Sequence, residues 1–282
     1  VTFVSAFSFK EFFNKITGRA ITENDLVAHY KFENNANNEK SSGASAIGDP
    51  SYTSGKSGQA ISFDGIDDYI QQNTLASSSI SPIKGAFALW ANFDPSTIAD
   101  GKAHILIGAG NSNSDTNYIA IIKTISNTLV MRYRVSGANS DVSTSVPSGW
   151  THIVGVWNQN ELLIYINGVP TTIGRSGASM PLPNQFRIGS RPFLTPTNYF
   201  KGQIDDVKVF NRDLTQEEVL ELYNSYSVVS PPSQICGNNI KEGTEACDSN
   251  SQACTINGYS GTQACKPDCS GFETTCNPSE SC

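Results

Sequence analysis

Cysteine is absent from the first 235 residues of this 282-residue chain, and all seven cysteines fall between Cys236 and Cys282. No thiol in the larger part can act as a nucleophile. Basic charge is also scarce: 19 Lys and Arg stand against 26 Asp and Glu, a formal net charge of −7. Such a chain lacks the basic surface that releases counterions from nucleic acid, which excludes phosphate-backbone binding as its main business. No apolar run reaches the roughly 18 residues that a membrane-crossing helix needs. There is no G-x-S-x-G elbow, no H-E-x-x-H pair and no Asn-x-Ser/Thr acceptor free of Pro, which removes the serine-hydrolase, zincin and N-glycosylated readings. Only 2 Met and 16% charged residues are present, against 23 Gly. That balance favours strands and turns over a helical bundle.

What is present divides the chain. Seven thiols in a short segment poor in apolar residues describe a small module stapled by disulfides, which requires an oxidising compartment. The expected cross-linked set is Cys236, Cys247, Cys254, Cys265, Cys269 and Cys276, with the pairing open; the odd Cys282 needs a partner beyond the given sequence or in another molecule, or stays free. Zinc is the competing use of clustered cysteines, but no C-x-x-C pair or histidine accompanies them. At the other end, Val4 and Ala6 fit the small-residue pattern of an export-signal cleavage site, or else belong to an ordinary apolar terminus. Phe9, Phe12, Phe13 and Ile16 at helical spacing then predict a short amphipathic segment ended by Gly18. The expected division is 1–25 for the end of the signal and this segment, 26–225 for the main domain, 226–235 for a Ser/Pro linker, and 236–282 for a cysteine-rich tail, itself cut short.

Between these ends the pattern is β. Short runs rich in β-branched and aromatic residues recur at Leu26 to Phe32, Ala60 to Phe63, Phe87 to Phe93, His104 to Gly108, Tyr118 to Ile125, Leu129 to Val135, Trp150 to Trp157, Leu162 to Ile166, Gln185 to Ile188 and Tyr199 to Phe210. Each is bounded by turn residues. Asn167-Gly168 is a strong hairpin signal because both residues tolerate positive φ. Strict alternation along Ile204 to Phe210 puts Asp205 on the face of Val207 and Val209, where a carboxylate requires a partner, unless the strand begins one residue later. After that strand Thr215-Gln216-Glu217-Glu218 forms a capping box that starts a short helix. About a dozen short strands with helix only at the ends predict an all-β fold, an antiparallel sandwich.

Leu26-Val27-Ala28-His29-Tyr30-Lys31-Phe32-Glu33, Gly55-Lys56-Ser57-Gly58-Gln59-Ala60-Ile61-Ser62-Phe63-Asp64-Gly65-Ile66-Asp67-Asp68-Tyr69, Phe87-Ala88-Leu89-Trp90, Trp150-Thr151-His152-Ile153-Val154, Leu163 to Gly168 and Gly202 to Glu218 follow one another in an order that resembles the laminin G-like jelly rolls of the concanavalin A-like lectin and glucanase superfamily. The tail, through Cys236-Gly237-Asn238, Glu242-Gly243, Glu245 and Cys247-Asp248, resembles a cysteine-rich repeat beside surface domains of secreted microbial proteins. The first resemblance implies a jelly roll and raises two kinds of chemistry. A glucanase needs two carboxylates about 5–5.5 Å apart for retention, set in that branch as Glu-x-Asp-x-x-Glu; Glu23-Asn24-Asp25 begins the pattern, but Ala28 stands third. Calcium, often carried by relatives of this fold, takes six to eight oxygens. Glu33, Asp205, Asp206 and Asp67 are the expected ligands, and the alternative is that both Asp pairs serve turn amides.

His29, His104 and His152, all within strands, are expected as hydrogen-bonded core or rim residues. For a sugar platform, Trp157, Tyr118, Tyr133, Phe193 and Tyr199 are the exposed candidates, while Trp90 and Trp150 stand at core positions by the resemblance. The functional expectation is a non-enzymatic module, secreted or at the cell surface, that binds a glycan or an extracellular protein through rim loops. The alternatives are a structural subunit of a surface assembly and the carbohydrate-targeting part of a larger secreted enzyme.

Overall fold

The computed structural model describes residues 21–111, 115–175, 178–193, 195–226, 247, 251–256, 259–266 and 272–278. The expected export signal, the Phe-rich segment before residue 21, and the linker after Tyr226 lie outside them. The chain divides into two compact units, meeting between Tyr223 and Asn224.

The larger unit is two antiparallel sheets face to face. Its strands run β1 Leu26–Tyr30, β2 Ser45–Ile47, β3 Ser51–Ser54, β4 Gln59–Asp64, β5 Tyr69–Gln71, then helix α1 Asn73–Ser79 and β6 Gly85–Phe93. They continue with β7 His104–Gly110, β8 Tyr118–Lys123, β9 Thr128–Val135, β10 Ala138–Ser145, β11 Thr151–Trp157, β12 Glu161–Ile166, β13 Val169–Gly174, β14 Gln185–Ile188, β15 Lys201–Phe210 and helix α2 Gln216–Asn224. The first sheet has the order β13-β12-β11-β6-β15-β4-β3, with β1 also on β15; the second has β10-β9-β8-β7-β14-β5-β2.

Alternate residues of the two inner faces interdigitate: Phe87, Leu89, Trp157, Ile164, Ile204 and Val209 from the first sheet meet Leu106, Ile121, Met131, Phe186 and Ile188 from the second. This is the sandwich that the alternating pattern predicts. A second, smaller apolar cluster lies on the outside of the first sheet, where Val219 of α2 and Leu214 pack with Ala86, Ala88, Val156 and Phe210. With a layer on each side, β6 and β11 are buried along nearly their whole length.

The predicted turn chemistry holds. Asn167 and Gly168 both have positive φ, 51° and 81°, joining Ile166 to Val169. At the start of α2 the Thr215 amide donates to Glu218 Oε2 at 2.8 Å and the Glu218 amide donates to Thr215 Oγ1 at 3.3 Å. Sequence reasoning misses α1, β2, β3, β5, β10 and β13. All except α1 are short or polar edge and near-edge strands, and α1 carries only Leu75 and Ala76 as buried residues.

Alternation fails at Asp205. The register of β15 on β6 shifts between Asp205 and Lys208, and Asp206 takes a φ of 44°. The bulge puts Ile204 and Val207, three apart, on the same inner face. Asp205 is therefore not on the face of Val207 and Val209; the extra residue turns it out of the apolar core.

The smaller unit is a three-stranded sheet of β16 Ser251–Ile256, β17 Tyr259–Ala264 and β18 Asn277–Pro278. Disulfides join Cys247 to Cys265 and Cys254 to Cys276. Cys236, Cys269 and Cys282 lie outside the described residues.

Candidate functional site at the rim of the first sheet

Strand β15 changes partner halfway. Lys201–Ile204 pair with β4, whereas Val207–Phe210 pair with β1. Asp205 and Asp206 occupy the seam between the end of β1 and the start of β4. Into that seam come Glu33, three residues past β1, and the loop Gly55-Lys56-Ser57-Gly58 ahead of β4. The Ser57 amide donates to Asp205 Oδ2 at 3.0 Å, and the Gln59 amide donates to Glu33 Oε2 at 3.1 Å. Gly55 is required by close approach, since a Cβ there would sit 2.6 Å from Asp205 Oδ2 and 2.7 Å from the Gln59 carbonyl carbon, and Gly58 by its φ of 64°, beside the Glu33 carboxylate. The two carboxylates thus converge on one short loop.

Their neighbours differ in charge. Asp205 is 1% exposed and has no ion-pair partner among the described residues. Burial, with the adjacent Asp206 charge adding to it, pushes its carboxyl up to about 6, although backbone amides pull the other way. Burial also acts on Asp206, but the hydrogen bond from His29 and the charge of Lys208 outweigh it and hold that carboxyl below the usual range. Asp206 Oδ1 accepts from His29 Nε2 at 2.5 Å, and Oδ2 faces Lys208 Nζ.

The four residues expected to share one calcium are not brought together. Asp206 is held by His29 and Lys208. Asp67 lies at the far end of β4, about 16 Å along a six-residue strand, grouped with Asp64 and Asp68. There Asp68 accepts the Asp49 and Asp64 amides at 2.9 and 3.0 Å, the turn-capping alternative. Glu33 and Asp205 remain at one loop, the first exposed with Oε2 held by the Gln59 amide, the second buried with Oδ2 held by the Ser57 amide.

The incipient glucanase pattern is spent on structure. Asp25 pairs with Arg212 at 2.9 Å and Glu23 with Lys40 at 2.5 Å. The histidines sit among polar partners or packed rings. His104 lies between Asp100 and the Tyr199 carbonyl, at 2.7 and 2.6 Å. His152 packs against the rings of Trp90 and Tyr223, which also touch each other, and burial, followed by the Lys208 charge, lowers it to about 3. Of the five aromatic platform candidates, Trp157, Tyr118, Tyr133 and Phe193 are buried and only Tyr199 is half-exposed. Trp90 is buried as expected, but Trp150 is only half-buried, at the entry to β11.

A feature without a place in the sequence reading is the outer face of the second sheet, where Arg132, Arg134 and Arg187 project beside Tyr69 and Tyr118. The alternation Arg132-Tyr133-Arg134, with Tyr133 in the core, is the signal that could have found it.

A laminin G sequence profile, described as concanavalin A-like lectin/glucanases superfamily, matches residues 64–220. The chain belongs to that superfamily. Among solved structures, domain 4 of the GH43 extracellular arabinanase AbnA from Geobacillus stearothermophilus, in complex with arabinotriose, superposes with a TM-score of 0.54 at 20% identity, covering 71% of this chain and 98% of that domain. The binding domain of botulinum neurotoxin DC, in complex with rat synaptotagmin II, gives 0.59 at 12% identity over 86% of this chain and 63% of the other. A botulinum neurotoxin type C structure, described as dependent on two ganglioside molecules for cell entry, gives 0.57 at 12% identity, covering 88% and 63%. This chain thus spans under two thirds of those neurotoxin chains. No curated protein matches significantly. At these identities the likeness is one of fold, a fold that serves in these relatives as a binding domain. No helix among the described residues is long and apolar enough to cross a membrane.

Proposed function

We propose that this chain is a non-catalytic recognition module working outside the cell, which binds glycans, with a calcium ion stiffening its rim. The observation that carries the reading is the superfamily fold combined with the seam at Asp205. Structures of the same fold are described as holding arabinotriose and as depending on gangliosides. Export is supported by the two disulfides of the small unit, which persist in oxidising compartments.

Calcium fits the seam. Asp205, buried without a cation, and Glu33 would hold it, and the ion would supply fixed positive charge that ties the Gly55–Gln59 loop to β15. Asp206 and Asp67 are not part of this proposal. A glycan array probed with the purified chain, with calcium and with chelator, tests the reading. Specific retention of a glycan class, stronger with calcium, is expected; no retention on any glycan, alongside specific capture of a protein ligand, would replace it.

A second reading is favoured by the arabinanase likeness, in which nearly the whole of one domain of a larger enzyme is covered. In it the chain is the targeting part of a secreted glycosidase. The flanking reading frame decides between them: a catalytic domain on the same polypeptide supports the second.

A further inference from the structure

Four of the arginines gather on or over the outer face of the second sheet, away from the rim site. Leu129, Met131, Tyr133, Phe186 and Ile188 point into the core, so Arg132 and Arg134 of β9 and Arg187 of β14 point outward by period 2. Arg191 joins them from the segment Ser190–Phe193, which crosses the same face. Gly108 and Gly110 of β7 let that segment down: a Cβ at either would stand 3.2 Å from an atom of Pro192. Phe193 then meets Tyr118 edge-on, with ring centroids 5.5 Å apart. The Arg191 guanidinium lies 4.6 Å from the Phe193 ring, and that of Arg187 lies 4.8 Å from the Tyr69 ring.

Charge on this face is not balanced. Asp141 pairs with Arg132 at 2.6 Å, and Asp115 is shared between Arg191 at 2.5 Å and Arg134 at 3.6 Å. Arg187, 3% exposed, has no carboxylate within ion-pairing distance among the described residues. Its Nη groups donate to the Arg191 carbonyl at 2.8 Å and to Gln71 at 3.2 Å and Gln185 at 3.4 Å. Among the described residues the buried Nε of Arg187 has no hydrogen-bond acceptor, and the buried Nε of Arg134 has only the Asp115 carboxylate at 3.6 Å. Uncompensated guanidinium charge in partly desolvated surroundings is costly unless an anion answers it.

We infer that this face is a binding surface for an acidic polysaccharide, with the guanidinium groups of Arg134 and Arg191 taking its carboxylates while Arg132 stays forked onto Asp141. The inference rests on the glycan-binding reading above and names the ligand class. β9 and β14 lie three strands apart, about 14 Å, so the positive charge is spread over a span that an extended, repeatedly charged chain fills better than one small anion. A guanidinium fork matches the two oxygens of a carboxylate, as in a uronate. Arg187, beneath the surface, adds positive potential to the face.

Affinity electrophoresis of the full chain through gels containing polygalacturonate, dextran sulfate, polyglutamate or neutral dextran tests this at 0.15 M salt. Polygalacturonate should retard the protein and neutral dextran should not. Arg134→Gln and Arg191→Gln, both on side chains about a quarter exposed, should weaken polygalacturonate binding at least tenfold while leaving the melting temperature within a degree or two. Dextran sulfate binding that equals or exceeds polygalacturonate, with the same loss in the variants, keeps the arginine surface and overturns the carboxylate choice. Polyglutamate binding as tight as polygalacturonate overturns the polysaccharide assignment. Retention on neutral glycans alone overturns this inference while leaving the glycan-binding reading intact; unchanged affinity in both variants overturns it outright.

Discussion

At Asp205 burial favours the protonated carboxyl, so in the absence of a cation the ionised form destabilises the fold. Its folded-state value, about 6, lies above the ordinary value of 3.8. The folded state therefore binds the extra proton between those limits, and stability falls as pH rises through that window. Asp205→Asn removes this dependence and keeps an oxygen for the Ser57 amide. In chelator at pH 7.5 the variant should melt no lower than the parent. Calcium should raise the melting temperature of the parent by several degrees and leave that of the variant unchanged, because an ion bound only to the folded state stabilises it. An equal calcium shift in both proteins would move the ion away from the seam.

His152 has the opposite sign. Buried against Trp90 and Tyr223, with Nδ1 lacking a hydrogen-bond partner among the described residues, it stays neutral in the fold down to about 3. The unfolded chain takes up its proton near 6.5, so the stability it contributes is complete above that pH and is lost as pH falls from 6.5 toward 3. His152→Phe should flatten the acid limb of the stability curve relative to the parent, read by urea titrations at pH 7, 6, 5 and 4; parallel curves would contradict the assignment.

Among the elements, α2 shows the most direct passage from sequence to structure. The Thr215–Glu218 box is visible in four letters, but the reason Glu218 is buried is not. Arg212 reaches it through two hydrogen bonds, 2.9 and 2.6 Å, while also pairing with Asp25 ahead of β1. Glu218→Ala should therefore cost about 2 kcal/mol or more, since it removes one of the two carboxylates on a buried guanidinium together with the acceptor of the Thr215 amide. Thr215→Ala, which removes only a cap acceptor, should cost about 1 kcal/mol. Equal losses in chemical denaturation would show that the ion pair adds nothing.

The same contrast explains what could be seen in advance. Strands with apolar, β-branched faces were legible, and so was the Asn167-Gly168 turn, because their local chemistry and their tertiary role agree. Edge strands such as β10, with Ala138-Asn139-Ser140-Asp141 on view, bury too little to leave a periodic signal. The bulge at Asp205 was hidden because it depends on β15 changing partner, a property of three strands together. Glu33 is nameable as a rim acid only through the family resemblance, and Asp205 also through the alternation that sets a carboxylate among Val207 and Val209; Asp206 and Asp67 cannot be separated from them without knowing where His29, Lys208 and the far end of β4 fall. The arginine face was missed because no motif links residues 132, 134, 187 and 191, which meet only through sheet order.

For the molecule as a whole, the two units draw on different sources of stability. The sandwich buries a large apolar core and holds no cysteine between residues 21 and 226, whereas the described part of the small unit holds two disulfides on three short strands. Small domains with little core depend on such cross-links. Reductant should then abolish protease resistance of the tail while the melting temperature of the sandwich stays put; a sandwich that melts earlier under reductant would contradict this independence.

The account's central claim is recognition of glycans without chemistry on them. The most direct test is to hold the purified, calcium-loaded protein with a panel of neutral and acidic polysaccharides, measuring bound protein and newly formed reducing ends in the same tubes. Saturable binding with no growth in reducing ends is the predicted result; reducing ends that accumulate in proportion to protein and time would contradict it.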